Sequence, residues 1–255
     1  FYDLVASSEE LSQIFAIPQE AAGLSGQAPP DGSLRFRDVV LDRSHFDFAI
    51  GSGEQAVIMA EPGVESQIAL LLKRHANPDR GLVAIGGSEL GSFDMYLLRS
   101  AVVVLNRPTI VDVTIREYLN LATGGTAEGS RIMGTLELVG LAARISSLPD
   151  GLDTHLASSG SPLSIVEVMQ LKLAMALLSG PKVLLLSQLY DMMPTEPLRA
   201  TLDMLRQHDT TVLLFTERPE ALNLDCCYWL GADAQHRFPG QAALARFRAD
   251  REQRP

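Results

Sequence analysis

Apolar residues recur along this chain in two periods, and the points where the period changes divide it into elements. Residues 2–19 carry Leu4, Val5, Leu11, Ile14 and Phe15 at helical spacing, and Ser7 to Glu10 has the form of a capping box, so an amphipathic helix is predicted there. Residues 23–32, with Pro29 and Pro30 side by side, read as a linker. Three short strand-like runs follow at 34–41, 46–50 and 55–60, the last entered through the turn Gly51-Ser-Gly53. Helical period appears at 65–75 and is closed by Pro78 and Gly81, after which strand-like runs return at 82–85 and 101–105. Residues 113–180 read as mostly helical, with breaks at Gly124-Gly125, at Pro149-Asp-Gly151 and between Gly160 and Pro162. The tail alternates once more: strand 183–186, helix 197–207, strand 211–215, helix 219–222 and a strand pair at 226–230 and 236–238.

Neither 183–186 nor 211–215 shows period-two alternation, so both are expected to be inner strands buried on both faces. With the helix and strand alternation around them, that argues a parallel α/β core. Residues 113–180 predict a helical insertion between the two halves of the core.

Composition narrows the function. A chain of 255 residues, 46% hydrophobic and 20% charged, is long enough for a large folded domain. Its net charge of −10 comes with only three lysines, Lys73, Lys172 and Lys182, and no basic cluster to track a phosphate backbone, which argues against nucleic acid as a partner. Cys226 and Cys227 are neighbours, a poor geometry for a disulfide and no zinc pattern, and read as core thiols of a reducing compartment. No apolar run approaches the ~20 residues of a membrane-spanning helix. The chain opens at Phe1 without a signal-like segment, and the expectation is a fragment whose membrane part lies upstream.

Several segments, in one order, carry a resemblance. LPDGLDT at 148–154, Gly160, Leu163-Ser164, a helix ending AMALL at 174–178 and PKVLLL at 181–186 follow the register of an exporter-type ATP-binding cassette (ABC) domain. There they correspond to a leucine-proline-glycine-aspartate-threonine turn, the LSGGQ signature, the helix after it and the Walker B strand. TIREYL at 114–119 resembles the stretch after the Q-loop, and FRDV at 36–39 the opening strand. The resemblance runs from about Gly32 to about Leu244. It implies an ABC-type P-loop NTPase fold: a parallel central sheet, an antiparallel β subdomain and a helical subdomain over about 113–180. Residues 1–33 resemble the linker leaving a transmembrane domain, and 34–255 the cassette.

The positions that would carry ATP chemistry depart from the pattern. A phosphate loop has glycines for close backbone approach, a lysine for the β/γ-phosphates and a hydroxyl for magnesium. The matching stretch here is Ala60-Glu-Pro-Gly63-Val-Glu65-Ser66-Gln67. Only Gly63 is kept; Ser66 stands for the lysine, Gln67 for the hydroxyl and Glu65 for a glycine. Walker B ends in Ser187-Gln188 instead of two carboxylates, so it lacks anionic metal ligands and a base. The signature reads Leu163-Ser164-Ile165-Val166-Glu167, with β-branched residues at both glycines. Asn106 stands at the Q-loop, Glu217 at the switch histidine and Arg43 near the base-stacking aromatic, while 191–194 lack the D-loop pattern.

Plainer readings stand beside these. Gly63 serves equally as a helix-entry turn, the histidines show no metal-ligand spacing, and Glu61, Glu65 and Glu167 form either a solvated acidic face or a substitute cation site. What the resemblance and the departures imply together is a pseudo-ATPase cassette, not an enzyme, binding neither ATP nor Mg and holding no metal. It would pair with a transmembrane domain on the cytoplasmic side of a membrane, as a homo- or heterodimer. Three alternatives stand with it: the degenerate half of a heterodimeric ATP-driven exporter, a transporter working by passive or ion-coupled transport, and a soluble regulatory or scaffold protein of the same fold.

Overall fold

The computed structural model describes residues 27–125, 128–222 and 226–252. The helix expected over 2–19 lies outside them.

The chain builds its antiparallel sheet first. β1 (Leu34–Leu41) pairs with β2 (Ser44–Ile50) across a tight turn, β3 (Gln55–Ala60) leaves for the second sheet, and α1 (Val64–Leu72) follows it. β4 (Arg80–Ile85) returns to pair antiparallel with β1, and β5 (Ser88–Glu89) adds a short edge, giving the order β2-β1-β4-β5. Alternation in β1 and β2 is that of strands with one covered face: Leu34, Phe36, Phe46, Phe48 and Ile50 are buried, and Arg35 pairs with Asp47 on the open side. A register shift interrupts β1 between Phe36 and Val39. Gly81 passes that bulge with φ 80, where any Cβ would strike the carbonyl oxygens of Arg37 and Asp38.

After α2 (Met95–Ala101) come β6 (Val102–Leu105) and the helical insertion: β7 (Val113–Thr114), α3 (Ile115–Asn120), α4 (Gly129–Leu138), α5 (Ala142–Ser146), β8 (His155–Leu156) and α6 (Ile165–Ser179). Two-residue strands β7 and β8 pair with each other and tie the start of the insertion to the stretch ahead of α6. The chain then returns through β9 (Val183–Leu186), α7 (Thr195–Gln207), β10 (Thr211–Phe215), β11 (Cys226–Leu230), β12 (Gln235–Phe238) and α8 (Gln241–Glu252).

The second sheet has the order β12-β11-β3-β10-β9-β6, parallel except for the β12 edge. β9 and β10 are inner strands and every residue of both is buried, as their unbroken apolar character requires. Successive side chains point to opposite faces, so Leu184 and Leu186 pack with α6 and α7 in one core. Val183 and Leu185 pack with α1, α2 and the antiparallel sheet in the other. Helices α2 and α8 were not anticipated by the apolar pattern, and 219–222 forms a short 3-10 turn in place of a helix.

Candidate functional site

In a parallel sheet flanked by helices, ligands are taken at the carboxyl ends of the strands. Here β3, β9 and β10 lie side by side, so Ala60, Leu186 and Phe215 end at one edge. From Ala60 the backbone turns through Glu61 and Pro62 to Gly63, whose φ of 91 is left-handed, and α1 starts at Val64. A Cβ on Gly63 would meet nothing, so the glycine answers a backbone requirement and not a steric one. Strand, turn and helix therefore fall where the sequence puts them.

A cleft of 340 Å³ opens at this edge, lined among others by Glu61, Gly63, Glu65, Ser66, Gln188 and Glu217. Three glutamates are in its lining, and among the described residues no lysine, arginine or histidine is. Glu61 reaches away from α1 and accepts from the Ala232 amide at 3.0 Å, in the turn between β11 and β12. Glu65 reaches across the cleft and accepts from the Gln188 amide at 3.0 Å. Burial pushes the Glu65 carboxyl up from its usual value, only partly offset by the Gln188 bond. The first turn of α1, with no side-chain cap, thus has a carboxylate of its own at the place where free N–H groups attract an anion.

Ser187 follows β9 almost fully buried, and its hydroxyl has no hydrogen-bond partner among the described residues. Gln188 is exposed and enters the site through its backbone. The next residues make a connection for which the D-loop comparison gave no hint. Asp191 accepts from the Thr216 hydroxyl at 2.5 Å and from the Glu217 amide at 3.0 Å, while the Arg218 guanidinium donates to the Asp191 carbonyl. The turn after β9 and the turn after β10 are thereby strapped together, with Glu217 exposed beside them. Asp preceding a Thr-x-Arg turn is too common a pattern to flag this from sequence.

The remaining positions lie outside the cleft. Asn106, after β6, accepts from Lys73 Nζ at 3.0 Å, which links it to the end of α1. Burial, then the nearby Arg107 charge, lowers the Lys73 pKa. Arg43 is exposed in the β1–β2 turn and does not line the cleft. Leu163 is buried and Ser164 caps α6. The Ser164 hydroxyl accepts from the Glu167 amide at 3.3 Å, and the Glu167 carboxylate accepts from the Ser164 amide at 2.7 Å. Arg144 adds an ion pair to Glu167 at 3.1 Å. Glu167 is therefore neither a bare solvated residue nor a member of the cleft with Glu61 and Glu65. Ser-x-x-Glu spacing, present in its threonine form at Thr114 to Glu117 where a second capping box forms, was the signal for it. Ile165 is exposed and Val166 half-buried.

A groove of 500 Å³ separates β6 from the helical insertion, lined among others by Lys73, Arg99, Leu105, Leu121, Lys172 and Met175. Among the described residues no carboxylate is in its lining. Lys172 donates to the Thr109 carbonyl at 2.8 Å, and burial together with Lys73 lowers its pKa. Leu121, with 63% of its surface exposed, stands at the rim.

No family model matches the sequence. Among curated proteins the chain is 26% identical over 218 residues to the ATP-dependent lipid A-core flippase of Burkholderia orbicola, covering 79% of this chain and 36% of that protein. It is 29% identical over 199 residues to the cyclolysin secretion/processing ATP-binding protein CyaB of Bordetella pertussis, covering 74% and 28%. With ABC transporter B family member 21 of Arabidopsis thaliana it shares 29% over 171 residues, 65% of this chain and 13% of the relative. The chain thus spans little more than a third, or less, of the length of these relatives. Among solved structures it matches a bacterial Atm1-family ABC exporter with ATP bound, at a TM-score of 0.78 and 22% identity, over 97% of this chain and 46% of the other. The fold is that of a domain of an ABC exporter, and the sequence relatives support an ABC transporter domain.

Proposed function

We propose that this chain is the nucleotide-binding-domain-like part of an ABC-type membrane transporter and that it works without hydrolysing ATP. The observation that supports the reading is the cleft at the carboxyl ends of β3, β9 and β10. Magnesium nucleotide carries several negative charges, and a site for it needs a neutralising cation, a hydroxyl for the metal and metal-binding carboxylates. The cleft supplies three carboxylates and, among the described residues, no cation in its lining, with Glu65 directed at Gln188 across the space the phosphates would need. These residues do not fit the nucleotide. The partner-facing role expected of the signature is no better served, because Ile165 and Val166 put β-branched side chains at the start of α6, where a partner's phosphates would need close approach to the backbone. That disfavours the reading as the inactive half of an ATP-driven heterodimer.

What remains is the architecture for assembly. The groove beside Leu121 would receive the transmembrane domain, since it lies between the core and the helical insertion and adjoins the Lys73–Asn106 contact. Exposed Ile165, Leu189 and Met192 offer an apolar contact for a second cassette. The transported substrate has no counterpart among these features.

Two experiments test the proposal. The chain joined to its membrane part should release no phosphate from ATP, and Ser66→Lys should not restore release, since Glu65, Gln67 and Ser187 are unchanged. Magnesium-dependent release by either protein would contradict it. Charge reversal of the exposed Arg107, or Leu121→Glu, should reduce co-purification with the membrane part while the isolated domain keeps its circular dichroism spectrum. Arg116 is the poorer probe, because its guanidinium makes two hydrogen bonds to Asp153 at 2.7 and 3.1 Å, and reversal would break them.

A further inference from the structure

At the opposite edge of the central sheet lies a cavity of 620 Å³ that contains none of the positions matched to ATP chemistry. Arg131 lines it from α4, Lys182 from the turn ahead of β9 and His208 from the end of α7, over apolar surface that includes Leu138, Leu177 and Met204. Its size is that of an ordinary small-molecule site. The central strands are parallel, so this cavity, at the amino ends of β9 and β10, is a full strand length from the acidic cleft.

Its charge is opposite to that of the molecule. The chain carries −10 overall, yet an arginine, a lysine and a histidine line this cavity and, among the described residues, no carboxylate does. Arg131 is held in place by donating through one nitrogen to the Leu178 carbonyl at 3.1 Å, in the last turn of α6, which leaves further N–H groups for another acceptor. The Asp31 carboxyl is held below its usual value by the Ser33 hydroxyl at 2.6 Å and the Ser33 amide at 2.8 Å, with a smaller contribution from the Lys182 charge. Cations beside apolar surface, in a concave site, are complementary to one class of molecule.

We propose that this cavity binds an amphiphilic anion, a single phosphate or carboxylate head on an apolar body. The head lies between Arg131, Lys182 and His208, and the body lies along Leu138, Leu177 and Met204. Lys182 and His208 are both exposed, so their replacement leaves the cores intact.

The test is a titration of the protein with n-octyl phosphate below its micelle concentration, read by calorimetry and by thermal melting. Inorganic phosphate and n-octyltrimethylammonium are the parallel arms. Octyl phosphate should bind saturably and raise the melting temperature, inorganic phosphate should bind more weakly, and the octyl cation should not bind. The double variant Lys182→Glu, His208→Glu should weaken octyl phosphate by tenfold or more, about 1.4 kcal/mol. If that variant does not fold by circular dichroism, Lys182→Gln alone gives the same reading at smaller amplitude. Absence of saturable binding, equal binding of the octyl cation, inorganic phosphate binding as tightly as octyl phosphate, or affinity unchanged in a folded variant would each overturn the proposal. None of these outcomes touches the transporter reading, which rests on the other edge of the sheet.

Discussion

Helices α1 and α6 both begin with a glutamate in the first turn, and the two carboxylates are used differently. Glu167 folds back on its own helix, closing a capping box with Ser164 and pairing with Arg144. Glu65 has no local cap to make, reaches the Gln188 amide on another element, and is half-buried with its pKa raised by that burial. One glutamate stabilises a helix start by local hydrogen bonds and the favourable end of the helix dipole. The other bridges two strand ends at a cost in desolvation. Sequence spacing tells the first use from a ligand contact; only the fold reveals the second.

Breaking the local device should have the largest effect. Replacing Ser164 and Glu167 together by alanine removes both capping hydrogen bonds, and should destabilise the domain by about 1–2 kcal/mol. Chemical denaturation should show a lower midpoint at unchanged slope. A loss within about 0.3 kcal/mol, inside the scatter of a surface substitution, would mean that the box contributes nothing beyond solvent.

Glu65→Gln sharpens the contrast through its pH dependence. Because the folded pKa of Glu65 is raised, its stabilising contribution is fully present below the unfolded carboxyl value of about 4.3 and is lost as pH rises through the folded pKa. The substituted amide can still accept from the Gln188 backbone N–H without ever ionising. The variant should therefore match the parent in acid and become relatively more stable towards neutral pH, measured as the difference in midpoint across the series. A variant that loses ground as pH rises would show that the ionised bridge is net stabilising.

The smallest effect is expected at Arg144. Its pair with Glu167 is partly exposed, so Arg144→Ala should cost no more than about 1 kcal/mol, and less at high salt. A salt-independent loss would point instead to its bond with the Pro162 carbonyl at 3.1 Å.

Much of the fold was legible because burial imposes period. The runs 183–186 and 211–215 are apolar without alternation, and they are the fully buried centre of the parallel sheet. The run at 34–41 reads as a strand, and in the structure it alternates between a covered and an open face. Helix α2 escaped because its seven residues, with Tyr96 and Leu97 exposed, show no clear apolar stripe. Helix α8 escaped because, among the described residues, its anchors in the core are Leu244 and Phe247, too few to set a period. At the candidate site the turn at Gly63 and the helix that follows it could be read in order. The bridge from Glu65 to Gln188, 123 positions apart, and the strap from Asp191 to Thr216 could not, since they depend on strands that meet only in the folded sheet.

The account turns on whether the cleft between α1 and Gln188 takes magnesium nucleotide. A thermal melt of the unmodified protein against increasing Mg-ATP measures this directly, because ligand at about one hundred times its dissociation constant stabilises a fold by roughly 2.7 kcal/mol. The prediction is a flat response up to millimolar nucleotide, with or without magnesium. A saturable rise in melting temperature that disappears on adding EDTA would contradict it, and would mean that carboxylates such as Glu65 hold the metal at this cleft.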